Sequence, residues 1–75
     1  MIAEELRDMS DGDLLAELDD AKEEYFSLRF QLESGQLDDF TVVRVVKKDI
    51  ARILTVMRER EIAAELSVLE DGADE

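Results

Sequence analysis

Cationic side chains that can bind phosphate groups are concentrated in one short part of the sequence. Residues 41–60 hold six of the nine Lys and Arg residues and carry a net charge of +4. Residues 1–40 carry −10 and residues 61–75 carry −6, so the whole chain is at −12. Net charge governs long-range steering, but a local group of cations can still contact a polyanion. Residues 44–60, the basic segment, are therefore the candidate functional region.

Catalytic chemistry finds little support in the sequence. The chain contains no His and no Cys, which are frequent general bases and nucleophiles. Acid pairs at helical spacing, such as Asp19 and Glu23, are typical of a solvated helix face. The sequence also lacks a phosphate-binding glycine loop and a calcium-binding loop. We therefore predict that the protein is not an enzyme and uses no cofactor, metal or small-molecule substrate.

The composition favours one small folded domain. Its charged fraction of 40% could indicate disorder, but the hydrophobic fraction of 45% argues against it. No apolar run approaches the roughly 20 residues that span a bilayer. The absence of Cys fits a reducing compartment. We expect a cytoplasmic protein that does not enter a membrane.

Apolar residues repeat with the period of an α-helix in two stretches. Ser10 has the properties of a helix N-cap, and Gly35 those of the residue that follows a helix C-terminus. The first stripe consists of Leu14, Leu18, Ala21, Tyr25, Leu28 and Leu32, and the second of Val43, Val46, Ile50, Ile53 and Met57. The elements predicted from these patterns are a first helix over about 11–34, a loop over 35–39, and a second helix over about 40–62 or further.

A loop of this length joins antiparallel neighbours. We therefore predict an all-α fold, an antiparallel two-helix hairpin, with a single domain over residues 1–69. Residues 1–9 are expected to add a short helical turn that lies over the hairpin. Residues 70–75, EDGADE, are expected to form a disordered acidic tail. Asp38 or Asp39 is the expected N-cap of the second helix.

On a helical wheel the cations of the basic segment occupy one contiguous arc beside the apolar stripe. The small residues Ala51 and Thr55 lie between them. Long cationic arms with little bulk between them suit the close approach of a phosphate backbone. The alternative is that these cations pair with acids of the first helix or simply face solvent. The residues alone leave both alternatives open.

A second apolar line on the first helix lies away from the main stripe. It consists of Leu15, Phe26 and Phe30, while Val45 and Val56 are off-axis on the second helix. A two-helix hairpin cannot bury all of them, so some should face another macromolecule. The N-terminal turn could cover them instead. This second line supports an alternative function, an acidic antiparallel coiled-coil adaptor that binds protein partners through Leu15, Phe26 and Phe30.

Several short segments, in order and at a fixed spacing, carry a family resemblance. They are Leu28-Arg29-Phe30-Gln31, Ser34-Gly35-Gln36-Leu37, and Lys47-Lys48-Asp49-Ile50-Ala51-Arg52-Ile53 with Thr55, preceded by the segment at 5–10. Through them, residues 4–61 resemble the L29 family of large-subunit ribosomal proteins. Members of that family are usually basic, so the net charge of −12 is a departure. Leu54 also stands where the family commonly has a cation.

The resemblance implies a structural constituent of the large ribosomal subunit, a ribonucleoprotein component that acts in translation. It implies a helical hairpin bound to large-subunit rRNA near the polypeptide exit tunnel. The chain would be monomeric within the cytoplasmic ribosome and lie beside a ribosomal protein of the L23 type. The RNA-facing residues that the resemblance implies are Arg29, Gln31, Ser34, Gly35, Gln36, Arg44, Lys47, Lys48, Arg52 and Thr55, to which the helical wheel adds Arg58.

Overall fold

Every secondary-structure element is a helix in the part of the chain that its computed structural model describes, which is the backbone of residues 2–73 and the side chains of residues 2–69. The helices are α1 (Ala3–Arg7), α2 (Asp11–Glu33) and α3 (Phe40–Ala73). α3 packs against both other helices. The predicted all-α hairpin with a short N-terminal turn is thereby confirmed.

The ends of α2 follow from the local sequence. The Ser10 hydroxyl oxygen accepts a hydrogen bond of 3.1 Å from the Asp13 backbone N–H, which caps the first turn. At the other end Gly35 has φ +81°, a left-handed conformation that a side chain would disfavour. The backbone N–H groups of Gln36 and Leu37 then donate to the Gln31 carbonyl at 2.9 and 3.1 Å. These bonds close the helix and turn the chain toward α3.

The start of α3 is capped by an aspartate. The Asp39 carboxylate accepts a hydrogen bond of 2.8 Å from the Thr41 backbone N–H. This bond, with a second one from the Thr41 side chain, holds the pKa of Asp39 below its ordinary value of 3.8. The expected cap at Asp38 or Asp39 is therefore Asp39.

The cap predicts a pH-dependent contribution to stability. Because the folded-state pKa of Asp39 is lowered, the carboxylate stabilises the fold above 3.8 and loses this effect as pH falls through the folded value. We expect Asp39→Ala to melt a few degrees below the parent near neutral pH. The difference in melting temperature between the two proteins should disappear in acid, as measured by circular dichroism. Asp39→Asn keeps an acceptor and serves as control; a gap that persists in strong acid would contradict the assignment.

The core lies where all three helices meet. Its buried members are Leu6, Leu14, Leu18, Ala21, Ile53 and Val56, with Met9, Ile50 and Met57 packed against them. The two predicted stripes supply most of this set. Val56 is different, because the sequence places it off-axis whereas it is 1% exposed. α1 contributes Leu6 to the same cluster, so packing of the N-terminal turn explains the burial of Val56.

Arg60 links α1 to the hairpin through hydrogen bonds. Its guanidinium donates to the backbone carbonyls of Arg7 at 3.1 Å and Met9 at 2.6 Å, and to the Asp11 carboxylate at 2.6 Å. Arg7 in turn donates to Glu59 at 3.1 Å. A planar guanidinium can serve several acceptors at once, which a lysine ammonium does less well. This cation of the basic segment therefore has a structural role.

α3 continues well past its last bond to α1. It runs to Ala73, so helix covers residues 70–73 of the predicted tail. The reason lies in the sequence EIAAEL, which is rich in strong helix formers and free of proline. The final two residues of the predicted tail lie outside the described residues. No helix in the described range is long and apolar enough to cross a membrane.

Candidate nucleic-acid interface

The cations of the basic segment fall into two groups along α3. Arg44, Lys47 and Lys48 are exposed and make no ion pair within residues 2–69. Farther along, Arg58 and Arg60 pair with carboxylates of the chain, as does Arg52. The side chains of the first group are therefore available to bind an external anion. We call Arg44, Lys47 and Lys48 the unpaired cations.

A groove between α2 and α3 brings cations of both helices together. It has a volume of about 380 Å³ and lies near the turn of the hairpin. The residues that line it are Tyr25, Arg29, Leu32 and Glu33 from α2 and Phe40, Val43, Arg44 and Lys47 from α3. Arg29, Arg44 and Lys47 are thus placed around one concave surface. Such a surface can hold a phosphate between side chains that approach it from two sides.

Arg29 is held in position by its own helix. Its guanidinium donates to the Tyr25 hydroxyl at 3.1 Å and to the Glu33 carboxylate at 3.4 Å. Its central carbon lies 5.8 Å from the centre of the Tyr25 ring, within cation–π range. The bond to Tyr25, followed by the bond to Glu33, raises the pKa of Arg29. The Arg29 side chain therefore lines the groove with its guanidinium held by Tyr25 and Glu33.

Three predicted RNA-facing residues make local bonds instead. Arg52 donates to Asp49 at 3.4 Å, and the Thr55 hydroxyl donates to the Ala51 carbonyl at 2.8 Å. Arg58 lies 3.0 Å from Glu61 and 3.8 Å from Glu65. All three side chains are on the exposed surface, but the two cations already have carboxylate partners. Asp49 and Glu61 each lie three residues from their cation, and this spacing is the sequence signal for the pairing.

The predicted turn residues shape the hairpin end. The Gln31 side-chain amide donates to the Ser27 hydroxyl at 3.3 Å, and the Ser34 hydroxyl donates to the Gln31 carbonyl at 3.2 Å. Gly35 and Gln36 complete the same turn through backbone bonds. These residues lie at the groove end of the molecule. Their contact with RNA stays a prediction.

Phe40 is a groove residue that the sequence reasoning missed. It is the first residue of α3 and its side chain is 65% exposed. An exposed aromatic ring beside cations offers a surface on which an unpaired base can stack. Its position just before the basic segment is the signal that could have identified it.

The second apolar line of α2 is open to solvent. Leu15, Phe26 and Phe30 are 51%, 76% and 67% exposed. α1 packs against α3 and leaves them uncovered, so the alternative that the N-terminal turn buries this line is wrong. Phe26 and Phe30 also line a shallow depression with Tyr25, Arg29 and Glu33. Two apolar rings therefore stand next to one wall of the cationic groove.

The described residues show no arrangement suited to metal chemistry. In the range that the structure describes, no group of three or more His, Cys, Asp or Glu side chains is close enough to hold a metal ion. No acid in this range is buried, and no buried side-chain nitrogen or oxygen there lacks a hydrogen-bond partner. Binding of a phosphate backbone is the chemistry that the site's geometry favours.

Comparison with known proteins gives a consistent result. The family model described as Ribosomal L29 protein matches residues 4–60. The chain is 51% identical to large ribosomal subunit protein uL29 of Saccharopolyspora erythraea over 73 residues, which cover 97% of this chain and 89% of that protein. It is 56% identical to uL29 of Streptomyces avermitilis over 63 residues, covering 84% and 85%. With uL29 of Carboxydothermus hydrogenoformans the identity is 52% over 63 residues, covering 84% and 91%.

Proposed function

The chain belongs to the ribosomal L29 protein family, and we propose that it serves as a structural constituent of the large ribosomal subunit that binds large-subunit rRNA. Its role in translation is architectural and not enzymatic. It acts within the ribosome, in the cytoplasm, as a single copy. The observation that carries the RNA-binding proposal is the convergence of Arg29, Arg44 and Lys47 on one groove.

The unpaired cations give the interface its affinity. Each positively charged side chain that reaches a phosphate releases a condensed counterion, which makes binding favourable and salt-dependent. Within residues 2–69 no carboxylate forms an ion pair with Arg44, Lys47 or Lys48. These cations can therefore contact RNA without first breaking an ion pair. They form the centre of the proposed contact. Arg52 and Arg58 lie at its edge, and RNA has to compete there with Asp49, Glu61 and Glu65, as it does with Glu33 at Arg29.

The mode of recognition follows from RNA geometry. Side chains cannot easily enter the deep, narrow major groove of A-form RNA, so a helix face recognises phosphates, 2′-hydroxyl groups and shape. The turn at Gln31–Gln36 presents backbone and small polar groups at the same end of the molecule. Phe40 adds a surface for an unstacked base. The groove end of the hairpin is therefore the end that faces rRNA in this proposal.

The apolar line of α2 supports a protein neighbour on an adjacent side. Leu15, Phe26 and Phe30 lie on a helix face that no other helix covers. Exposed aromatic rings are typical of surfaces that another protein covers. We assign this face to a ribosomal protein of the L23 type near the exit of the polypeptide tunnel. In this proposal the protein-binding face that supported the alternative adaptor function is the contact with this ribosomal neighbour.

Co-sedimentation tests the proposed function. A tagged copy of the full chain, expressed in cells of a species with a close relative, should sediment with large subunits and remain bound through a wash in moderate salt. Free large subunits and assembled ribosomes should both contain it. Recovery in the slowly sedimenting pool alone would overturn the proposal.

A further inference from the structure

The C-terminal part of α3 carries an apolar ridge that the ribosomal contacts described above do not use. Residues 61–69, the C-terminal overhang, are exposed throughout. Within it Ile62, Leu66 and Leu69 are 41%, 54% and 67% exposed. Their spacings of four and three residues place them within an arc of about 60° on one side of the helix. Three large apolar side chains therefore form one continuous ridge in water.

Carboxylates flank this ridge. The side chains of Glu59, Glu61 and Glu65 are 47%, 64% and 65% exposed. Glu59 lies on one side of the ridge and the other two on the opposite side, as the helical period requires. Arg7 already pairs with Glu59 at 3.1 Å. Arg58 pairs with both Glu61 at 3.0 Å and Glu65 at 3.8 Å, so these two carboxylates share one cation and keep a net negative charge. Residues 61–75 carry no cation and a net charge of −6.

The overhang lies outside the part of the chain that the family model matches, which ends at residue 60. It is not peculiar to this chain, because the match to the Saccharopolyspora erythraea protein extends over 97% of the chain. Neither α1 nor α2 covers it, since every residue from 61 to 69 is exposed. Exposed apolar stripes rimmed by polar groups mark binding surfaces.

Charge decides what can cover the ridge. A second copy of the chain at −12 would bring like charges together along the whole contact. RNA and anionic lipid surfaces carry phosphates, which the flanking glutamates repel. A helix with its own apolar stripe, and with Lys or Arg beside that stripe to face Glu61 and Glu65, matches the ridge in shape and in charge.

We propose that the C-terminal overhang is a docking site for a cationic amphipathic helix of another protein. The apolar stripe of the partner packs on Ile62, Leu66 and Leu69, and its cations pair with Glu61 and Glu65. The partner's Lys and Arg side chains complement the negative charge of the overhang. The proposal is independent of RNA binding, because it uses none of the groove residues.

A defined peptide provides the test. The probe is a fluorescein-labelled helical peptide of about 20 residues with Leu at spacings of three and four and Lys on both flanks. Its binding to the full chain is measured by fluorescence anisotropy at physiological salt. Saturable binding is expected, whereas a peptide with Glu in place of each Lys should not bind. Absence of binding by the Lys peptide would overturn the proposal.

Matched variants separate docking from general attraction between opposite charges. The variant Ile62→Ala, Leu66→Ala, Leu69→Ala should weaken peptide binding by about tenfold or more, since it removes the apolar contact. The control changes Ile2, Val42 and Val45, three exposed apolar residues outside the overhang, to Ala and should leave affinity within about twofold of the parent. Alanine favours helix, so circular dichroism should show both variants folded. Equal affinity of the parent and the ridge variant, or equal loss in both variants, would overturn the assignment.

The flanking acids have their own control. Glu61→Gln with Glu65→Gln should weaken binding of the Lys peptide several-fold and reduce its salt dependence. Asp19→Asn with Asp20→Asn removes the same charge from α2 and should have a smaller effect. If the two pairs act equally, binding follows net charge and the overhang is not the site.

Discussion

Replacing Arg44, Lys47 and Lys48 with alanine should lower the affinity of the chain for large-subunit rRNA by about 100-fold near 0.1 M salt. The estimate follows from counterion release, since each phosphate contact contributes about 0.7–0.9 to the slope of log affinity against log salt concentration. Three lost contacts therefore reduce that slope by about 2–3. Filter binding or anisotropy with fragments of large-subunit rRNA, measured at several salt concentrations, gives both quantities.

A variant of equal charge makes this test specific. Lys22→Ala, Arg52→Ala and Arg58→Ala also remove three cations, but two of them already pair with carboxylates and the third lies on α2. This control variant should lose far less affinity for rRNA, and the slope of its log affinity against log salt concentration should change little. Equal losses in the two variants would mean that rRNA responds to total charge, and the groove assignment would be wrong. Neither set removes a buried side chain, so both variants should stay folded.

The sequence was sufficient for the helices because their signals are local. Ser10 caps α2 and Gly35 ends it, and each acts within one helical turn. The heptad spacing of the apolar stripes then selects the faces that meet. Val56 could not be assigned in this way, because its burial depends on where α1 packs. That packing is a tertiary property, set by Leu6 and by the bonds of Arg60 to backbone carbonyls.

The candidate interface was predictable in composition but not in detail. A helical wheel places the cations of the basic segment on one face, yet it does not show which of them have partners. The pairing of Arg58 with Glu61 depends on side-chain geometry that spacing only permits. The position of Arg29 opposite Arg44 depends on the register between α2 and α3. Register follows from loop geometry and core packing together, so the groove became visible only in the folded chain.

The excess of negative charge has a structural interpretation. Acids of the chain neutralise part of the basic segment, as in the pairs of Arg58 with Glu61 and of Arg60 with Asp11. This pairing leaves the unpaired cations concentrated near the turn. The opposite end of α3, beyond residue 60, carries only acids as charged residues. The molecule is therefore polarised along α3, with anion binding expected at one end and cation binding at the other.

Ile53→Ala should remove a large part of the folding free energy of the isolated chain. Ile53 is 0% exposed and belongs to the cluster that all three helices share. Truncation of a buried Ile to Ala costs about 2–5 kcal/mol, through lost burial and the cavity that remains. A chain of this size has only about 4–11 kcal/mol of folding free energy in total. Urea denaturation followed by circular dichroism at 222 nm would measure the change.

The neighbouring residue supplies the matched control. Leu54 is 47% exposed and lies about 100° around the helix from Ile53. Leu54→Ala should therefore cost less than about 1 kcal/mol. Comparable losses for the two variants would mean that the cluster around Ile53 does not hold the helices together. On the ribosome the Ile53→Ala chain should recover part of the lost stability, because rRNA binds the folded form in preference to the unfolded one. The unpaired cations remain in that variant, so this recovery would link the stability of the small core to the interface that it positions.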